Sequence, residues 1–360
     1  MKAAICYEFG KPLVVEEVTL EPPRFGEVKV RTAAAAICHS DVHLIRGEWA
    51  GEPPVIAGHE TAGVVAEVGD GVTLVKPGDH VVMSLLRSCG RCFYCTQGET
   101  FLCEADYALD SEPRFRNSQG TLIKHGILTA GFAEYTVVHQ SQLVPIPKEI
   151  PLDSASLLAC GVITGLGAVV NTAGVEPGRS VAVIGVGGVG LNSIQGAALS
   201  GAYPVIAIDL LDNKLEASRD FGATHTINPK STDDVAEAVQ ALTGGRGADY
   251  VFVTVGSTVA GEQAQTLIRR GGTVTLVGIP EIEASLPIPP FQTVTQERKI
   301  IGSSMGSTRL SVDIPRLVQL YQDKQLKLDE LITNRYPLEE INEAIESMER
   351  GEALRNVVIF

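Results

Sequence analysis

VAVIGVGGVG, residues 181–190, runs four apolar residues into a glycine-rich turn, and the alanine-rich stretch LNSIQGAALSGA follows directly. Gly185, Gly187 and Gly190 have the spacing G-x-G-x-x-G. In such a turn Gly185 makes the tight bend, Gly187 lets backbone approach a pyrophosphate, and Gly190 lets helix pack closely on strand. Gly188 belongs to the same loop. The N–H groups and partial positive charge of the helix N-terminus suit an anionic diphosphate. Asp209 closes the next strand-like run, PVIAIDL, nineteen residues beyond Gly190. A carboxylate there can accept from both hydroxyls of an adenosine ribose. It would repel a 2′-phosphate, and Leu210 and Leu211 offer no cation, so NAD is expected rather than NADP.

Outward from this loop, ADYVFVTVGS, a helix around GEQAQTLIRR, and GTVTLVGIP keep alternating strand and helix, the pattern of a parallel sheet with covering helices. Upstream of about residue 162 the texture differs. VKVRTAAAA, AGVVAEV and DHVVMSL read as strands, separated by the turns PPRFGE, GDGVTLVKPGD and PIPKEIP. Beyond about 303, RLSVDIPRLVQLYQDKQL and LEEINEAIESMERGE read as helices and NVVIF as a strand. The 360 residues exceed the usual single domain. The expected fold is α/β: a β-rich domain of residues 1–161 and 303–360, interrupted by a doubly wound dinucleotide domain of residues 162–302.

Charge narrows the function classes. With 29 basic against 43 acidic residues the chain carries −14, which argues against nucleic acid or anionic membrane as partner. The N-terminal MKAAICYEFGKPLVVEE turns polar too early for a signal peptide, and no run of about 18 apolar residues suggests a span. A cytoplasmic location follows, where structural disulfides are rare.

That expectation bears on SCGRCFYCTQGETFLC, residues 88–103, which holds Cys89, Cys92, Cys95 and Cys103. Four thiolates at this spacing can close a tetrahedral shell around zinc, leaving no open position, so the site would be structural. An iron–sulfur cluster or ordinary reduced cysteines are the alternatives. Elsewhere AAAICHSDVHLIRG holds Cys38, His39, Ser40, Asp41 and His43; VIAGHETAG holds His59 and Glu60; LLACGVITG holds Cys160. No local spacing joins these groups.

GHETAGVVAEVG, the four-cysteine lobe, CGVITG and GVGGVG occur in the order found in the zinc-dependent medium-chain alcohol dehydrogenases, which the chain resembles over essentially its whole length. The resemblance implies a GroES-like catalytic domain, a Rossmann domain, two zinc ions and NAD. It implies Cys38, His59 and Cys160 as ligands of a catalytic zinc, Glu60 behind the metal, and Asp41 orienting the His59 ring. Zinc can lower the pKa of bound water from ~15.7 to about 7, and an alcohol should respond similarly before giving hydride to NAD. Ser40 would take the alcohol proton and pass it through the nicotinamide ribose to His43.

The resemblance also implies cofactor contacts at His39, Thr164, Val189, Lys214, Val277, Ile279 and Arg355. His39 stands where arginine is common, so phosphate is gripped less firmly. Trp49, Leu85 and Ile127, with Ile279 at the cofactor end, would line an apolar channel for a small, primary alcohol or aldehyde. Residues 104–131 form a long loop resembling the branch with formaldehyde dehydrogenases, and Arg114, Arg116 and Lys124 could meet an anionic thiol there or be solvated. The alternatives are a thiol-dependent formaldehyde dehydrogenase, an enzyme with permanently bound NAD, and a non-catalytic NAD-binding redox sensor. A homodimer or homotetramer is expected. Cys6 reads as core, and His80, His125, His139 and His225 as structural or surface.

Overall fold

The structure, a computed structural model, describes residues 1–49 and 51–360. It divides into two compact units, residues 1–160 with 309–360, and residues 161–308. The stretch 303–308, expected with the β-rich domain, belongs instead to the second unit. The reason is contact with the helix Gly161–Gly167: Gly306 lies so close that a Cβ would come within 2.1 Å of the Ile163 carbonyl. Thr308 Oγ1 donates to that same carbonyl at 3.3 Å.

The second unit is a six-stranded sheet in the order His225–Ile227, Val205–Ile208, Val181–Ile184, Ala248–Val253, Ile268–Leu276, Lys299–Gly302. All five pairings are parallel. Strands covered on both faces must be apolar throughout, and Val181–Ile184 and Val205–Ile208 are entirely buried. This is the doubly wound Rossmann arrangement, and the glycine loop falls at its central strand, before the helix Gly188–Leu199. The helix expected over GEQAQTLIRR stops at Leu267; Ile268, Arg269 and Arg270 are already strand, because Ile268 pairs with Ala248.

The first unit is built on mainly antiparallel sheets, with parallel pairing only of Ile332–Pro337 with Arg355–Ile359 and of Val55–Ile56 with Leu122–His125 among the described residues. In the larger, the strand Glu60–Val68 lies between Glu27–Ala36 and His80–Met83. The terminal strand Arg355–Ile359 pairs with Glu27–Ala36 on the other side, so the C-terminal segment reaches the middle of this sheet. A core around Ile5, Ile37, Ile56, Phe115 and Phe132 fills the space beneath. Cys6 is part of it. Among the described residues no single helix is long and apolar enough to cross a membrane.

Candidate active site and metal centres

Where the strand Glu27–Ala36 turns into the helix His39–Arg46, Cys38 is the extended N-cap residue. Asp41 sits fully buried in the first turn. Its Oδ2 accepts from the Cys38 N–H at 3.3 Å, and its Oδ1 accepts from the Gly58 N–H at 2.8 Å. The same Oδ1 lies 3.0 Å from His59 Nδ1. A carboxylate can only accept, so the proton is on Nδ1 and the lone pair on Nε2. Nε2 is buried and has no hydrogen-bond partner among the described residues. Such an orphan is rare unless something else takes the lone pair.

The ligand atoms of Cys38, His59, Glu60 and Cys160 all lie within 4.8 Å of one another, and all four residues are buried. Beside Cys160 and His59, the Cys38 thiol is held well below its ordinary range. The Cys38 thiolate, the Cys160 sulfur, the His59 ring and the Glu60 carboxyl group thus converge on one place, and a dication fits that donor set. Glu60 Oε2 accepts from Arg355 Nη2 at 2.5 Å, while Oε1 is buried without a partner among the described residues. Burial raises the Glu60 carboxyl to about 8 despite that arginine. The carbonyl before Cys160 is pinned by Ser84, whose hydroxyl donates to Ala159 at 2.7 Å.

In the cysteine lobe the sulfurs of Cys89, Cys92, Cys95 and Cys103 also lie within 4.8 Å of one another. Backbone N–H groups point at them: Cys92 to Cys89 at 3.3 Å, Cys95 to Cys92 at 3.5 Å, Cys89 to Cys103 at 3.3 Å. The Cys95 N–H is the largest influence drawing the Cys92 thiol down to about 6, whereas burial pushes Cys95 up to about 12. Four thiols so placed cannot all ionise without a cation, which zinc supplies.

The dinucleotide loop shows a division of labour. Gly185 has φ +89, a backbone that side chains rarely adopt. Gly187 has no heavy atom within 4 Å of a built Cβ, whereas at Gly190 that atom would lie 1.9 Å from the Gly185 carbonyl. Gly190 therefore packs the helix closely against the ends of the two neighbouring strands, with Thr254 Oγ1 2.9 Å from the same added atom. Asp209 braces the loop, accepting from the Val186 N–H at 2.6 Å and the Leu211 N–H at 2.9 Å. Lys214, on the helix Asp212–Asp220, is 6% exposed and so buried rather than solvated. Thr164 and Val277 are buried, Val189 is half-buried, and Ile279 is 59% exposed. Thr164 Oγ1 donates to Met305 Sδ at 3.6 Å.

In the first unit, Ser40 follows His39 inside the helix, and the N-cap is Cys38. His39 is exposed. The His43 ring stacks on Trp49 with centroids 5.3 Å apart, and its Nδ1 pairs with the Glu48 carboxylate. Glu48 escaped the sequence reading because it lies beyond the helix; Gly47, at φ +75, turns the chain back. Leu85 and Ile127 are half-buried. Arg114 is neither a thiol-binding nor a solvated cation: it is buried against Glu27 at 2.7 Å. Arg116 pairs with Glu21 and Lys124 with Glu52, both at the surface.

The class these features define is a two-unit, metal-dependent, nucleotide-linked oxidoreductase, and comparison with known proteins gives the family. Residues 24–148 match the alcohol dehydrogenase GroES-like domain and residues 188–323 the zinc-binding dehydrogenase domain. The chain is 39% identical to the NDMA-dependent alcohol dehydrogenase of Amycolatopsis methanolica, covering 99% of this chain and 98% of that one. It is likewise 39% identical to the S-(hydroxymethyl)glutathione dehydrogenase of Paracoccus denitrificans, covering 100% and 99%. Among solved structures, an alcohol dehydrogenase zinc-binding domain protein from Burkholderia ambifaria superimposes with a TM-score of 0.95 at 32% identity, covering 100% and 98%. Benzyl alcohol dehydrogenase from Acinetobacter calcoaceticus does so with 0.93 at 28%, covering 100% and 99%. The chain belongs to the zinc-dependent medium-chain alcohol dehydrogenase family. It is an NAD-dependent oxidoreductase with one catalytic and one structural zinc.

Proposed function

We propose that the chain interconverts small primary alcohols and their aldehydes, with Cys38, His59 and Cys160 holding the catalytic zinc and Cys89, Cys92, Cys95 and Cys103 the structural one. The observation that carries this is the orphaned His59 Nε2 among buried thiols and a carboxylate within 4.8 Å. Zinc, when bound, supplies Lewis acidity that eases loss of the hydroxyl proton, and NAD supplies the hydride acceptor.

The chain's own groups do the rest. Asp41 locks His59 in the tautomer that offers Nε2. Glu60, held by Arg355, lies behind the ligand set as a carboxyl group able to approach the metal. Ser40 takes the substrate proton and His43 passes it toward solvent. The glycine loop, with Asp209, Thr164, Val189, Lys214, Val277, Ile279, His39 and Arg355, binds NAD; Trp49, Leu85 and Ile127 favour an apolar substrate. A reducing cytoplasm suits thiolate metal ligands, and the working form is a homodimer or homotetramer.

Cys160→Ser is the decisive variant. It should keep the fold and the lobe zinc, lose one of two zinc ions by elemental analysis, and lower turnover by at least about a thousandfold. Near-parental NADH production from this variant would refute the ligand set. Two relatives motivate second readings, a thiol-adduct substrate and a permanently held cofactor. With Arg114, Arg116 and Lys124 already paired, an anionic thiol lacks its expected partners, so formaldehyde oxidation should not depend on added glutathione. NAD should be lost on gel filtration.

A further inference from the structure

Ile127, Leu128 and Ala130 hold φ angles of 45°, 63° and 56°. L-residues rarely adopt that backbone, so neighbouring groups must hold it. The Leu128 carbonyl accepts from Gln142 Nε2 at 3.0 Å and from Arg87 Nη2 at 3.5 Å. Thr129 Oγ1 donates at 2.7 Å to the carbonyl of Gly58, the residue directly before His59. The strained stretch is therefore tied to the loop that carries His59 on one side and to Arg87 on the other.

Arg87 is only 8% exposed and spends its whole fork on this region. Its Nε donates to Gln142 Oε1 at 3.0 Å and its Nη1 to Asp110 at 2.5 Å. Its guanidinium carbon lies 4.8 Å from the Tyr107 ring centroid, and the Tyr107 hydroxyl is 3.9 Å from Cys103 Sγ in the metal lobe. Gln142 Nε2 also donates to the Ser84 carbonyl at 3.0 Å, and Ser84 holds Ala159 beside Cys160. One planar cation thus fixes the start of the long loop, at Tyr107 and Asp110, and its end, at Leu128. It does so between the lobe and the catalytic ligands.

We propose that Arg87 is a positioning residue that sets the substrate wall at Ile127 and Leu128, and so how well a bulky alcohol is accepted relative to a small one. This rests on the reading that Ile127 lines the alcohol pocket. Three different directions of donation from one rigid plane are what lysine, a point charge, cannot reproduce. Without the grip on Leu128, the stretch can relax to ordinary backbone and carry the wall with it.

The test compares benzyl alcohol with ethanol on zinc-loaded Arg87→Lys and Asp110→Asn proteins, with metal content and folding verified. In Arg87→Lys the kcat/KM ratio of benzyl alcohol to ethanol should fall about tenfold, chiefly through KM for benzyl alcohol, with both zincs retained. Asp110→Asn, which only loosens an exposed partner, should lower the ratio about two- to threefold. A ratio that does not fall in either variant, or equal losses for both alcohols that track lost zinc, overturns the proposal. Should Arg87→Lys not fold, Asp110→Asn decides by the same criterion. A parent protein that oxidises neither alcohol would instead refute the proposed function.

Discussion

Gly187 and Gly190 stand three residues apart in one loop, yet an added methyl group meets opposite fates. At Gly187 it enters open space, on a backbone of φ −82 that alanine accepts. Gly187→Ala should therefore melt within about a degree of the parent. It should nonetheless bind NAD about tenfold more weakly, because the methyl occupies room the pyrophosphate needs. At Gly190 the methyl would lie 1.9 Å from a carbonyl oxygen. Gly190→Ala should cost about 1–3 kcal/mol, seen as a melting point several degrees lower. Calorimetry with NAD titration separates the two, and undiminished NAD affinity in Gly187→Ala would remove the loop from the cofactor site. Asp209→Gly should weaken NAD by about 10- to 100-fold while NADP loses less, since the lost carboxylate both receives ribose hydroxyls and repels a 2′-phosphate.

The metal lobe is an element whose cysteine spacing could be read in advance but whose support could not. Cys92 is both a sulfur of the cluster and the N-cap of the one-turn helix Phe93–Thr96, where it accepts from the Cys95 N–H. Serine caps helices well, so Cys92→Ser preserves the cap and removes only the thiolate. It should bind one zinc fewer, keep the catalytic zinc, and melt about 5 °C or more below the parent. Unchanged zinc content would mean the four thiols do not share a metal. The parallel sheet was legible because its central strands are continuous apolar runs between glycine turns. The strand Ile332–Pro337 was not: its residues alternate half-buried and exposed, and it becomes a strand only by pairing with Arg355–Ile359. The same limit applies to the site. Cys38, His59 and Cys160 were found through motifs, whereas Arg87, Gln142 and Glu48 acquire meaning only from partners distant in the chain or across a left-handed turn.

At the scale of the whole molecule, acid stability should depend on one histidine that takes no part in chemistry. His125 ends the strand Leu122–His125, with its ring 4.9 Å from that of Phe115 and both ring nitrogens buried. Burial, reinforced by the nearby cations Arg114 and Arg87, pushes its pKa from the ordinary 6.5 down to about 3. The folded protein thus keeps the ring neutral where the unfolded chain would protonate it. Above about pH 6.5 both states are neutral and no stability is lost; between 6.5 and 3 the unfolded state gains about 1.4 kcal/mol per pH unit. Replacing the ring by phenylalanine removes that proton while keeping a flat aromatic against Phe115. Acid release of zinc weakens parent and variant alike, so the difference between them isolates His125. Between pH 6.5 and 5 the parent should lose about 2 kcal/mol more than His125→Phe, read from urea midpoints at each pH. Parallel curves for the two proteins would show that the imidazole is solvated enough to carry its charge in the folded state.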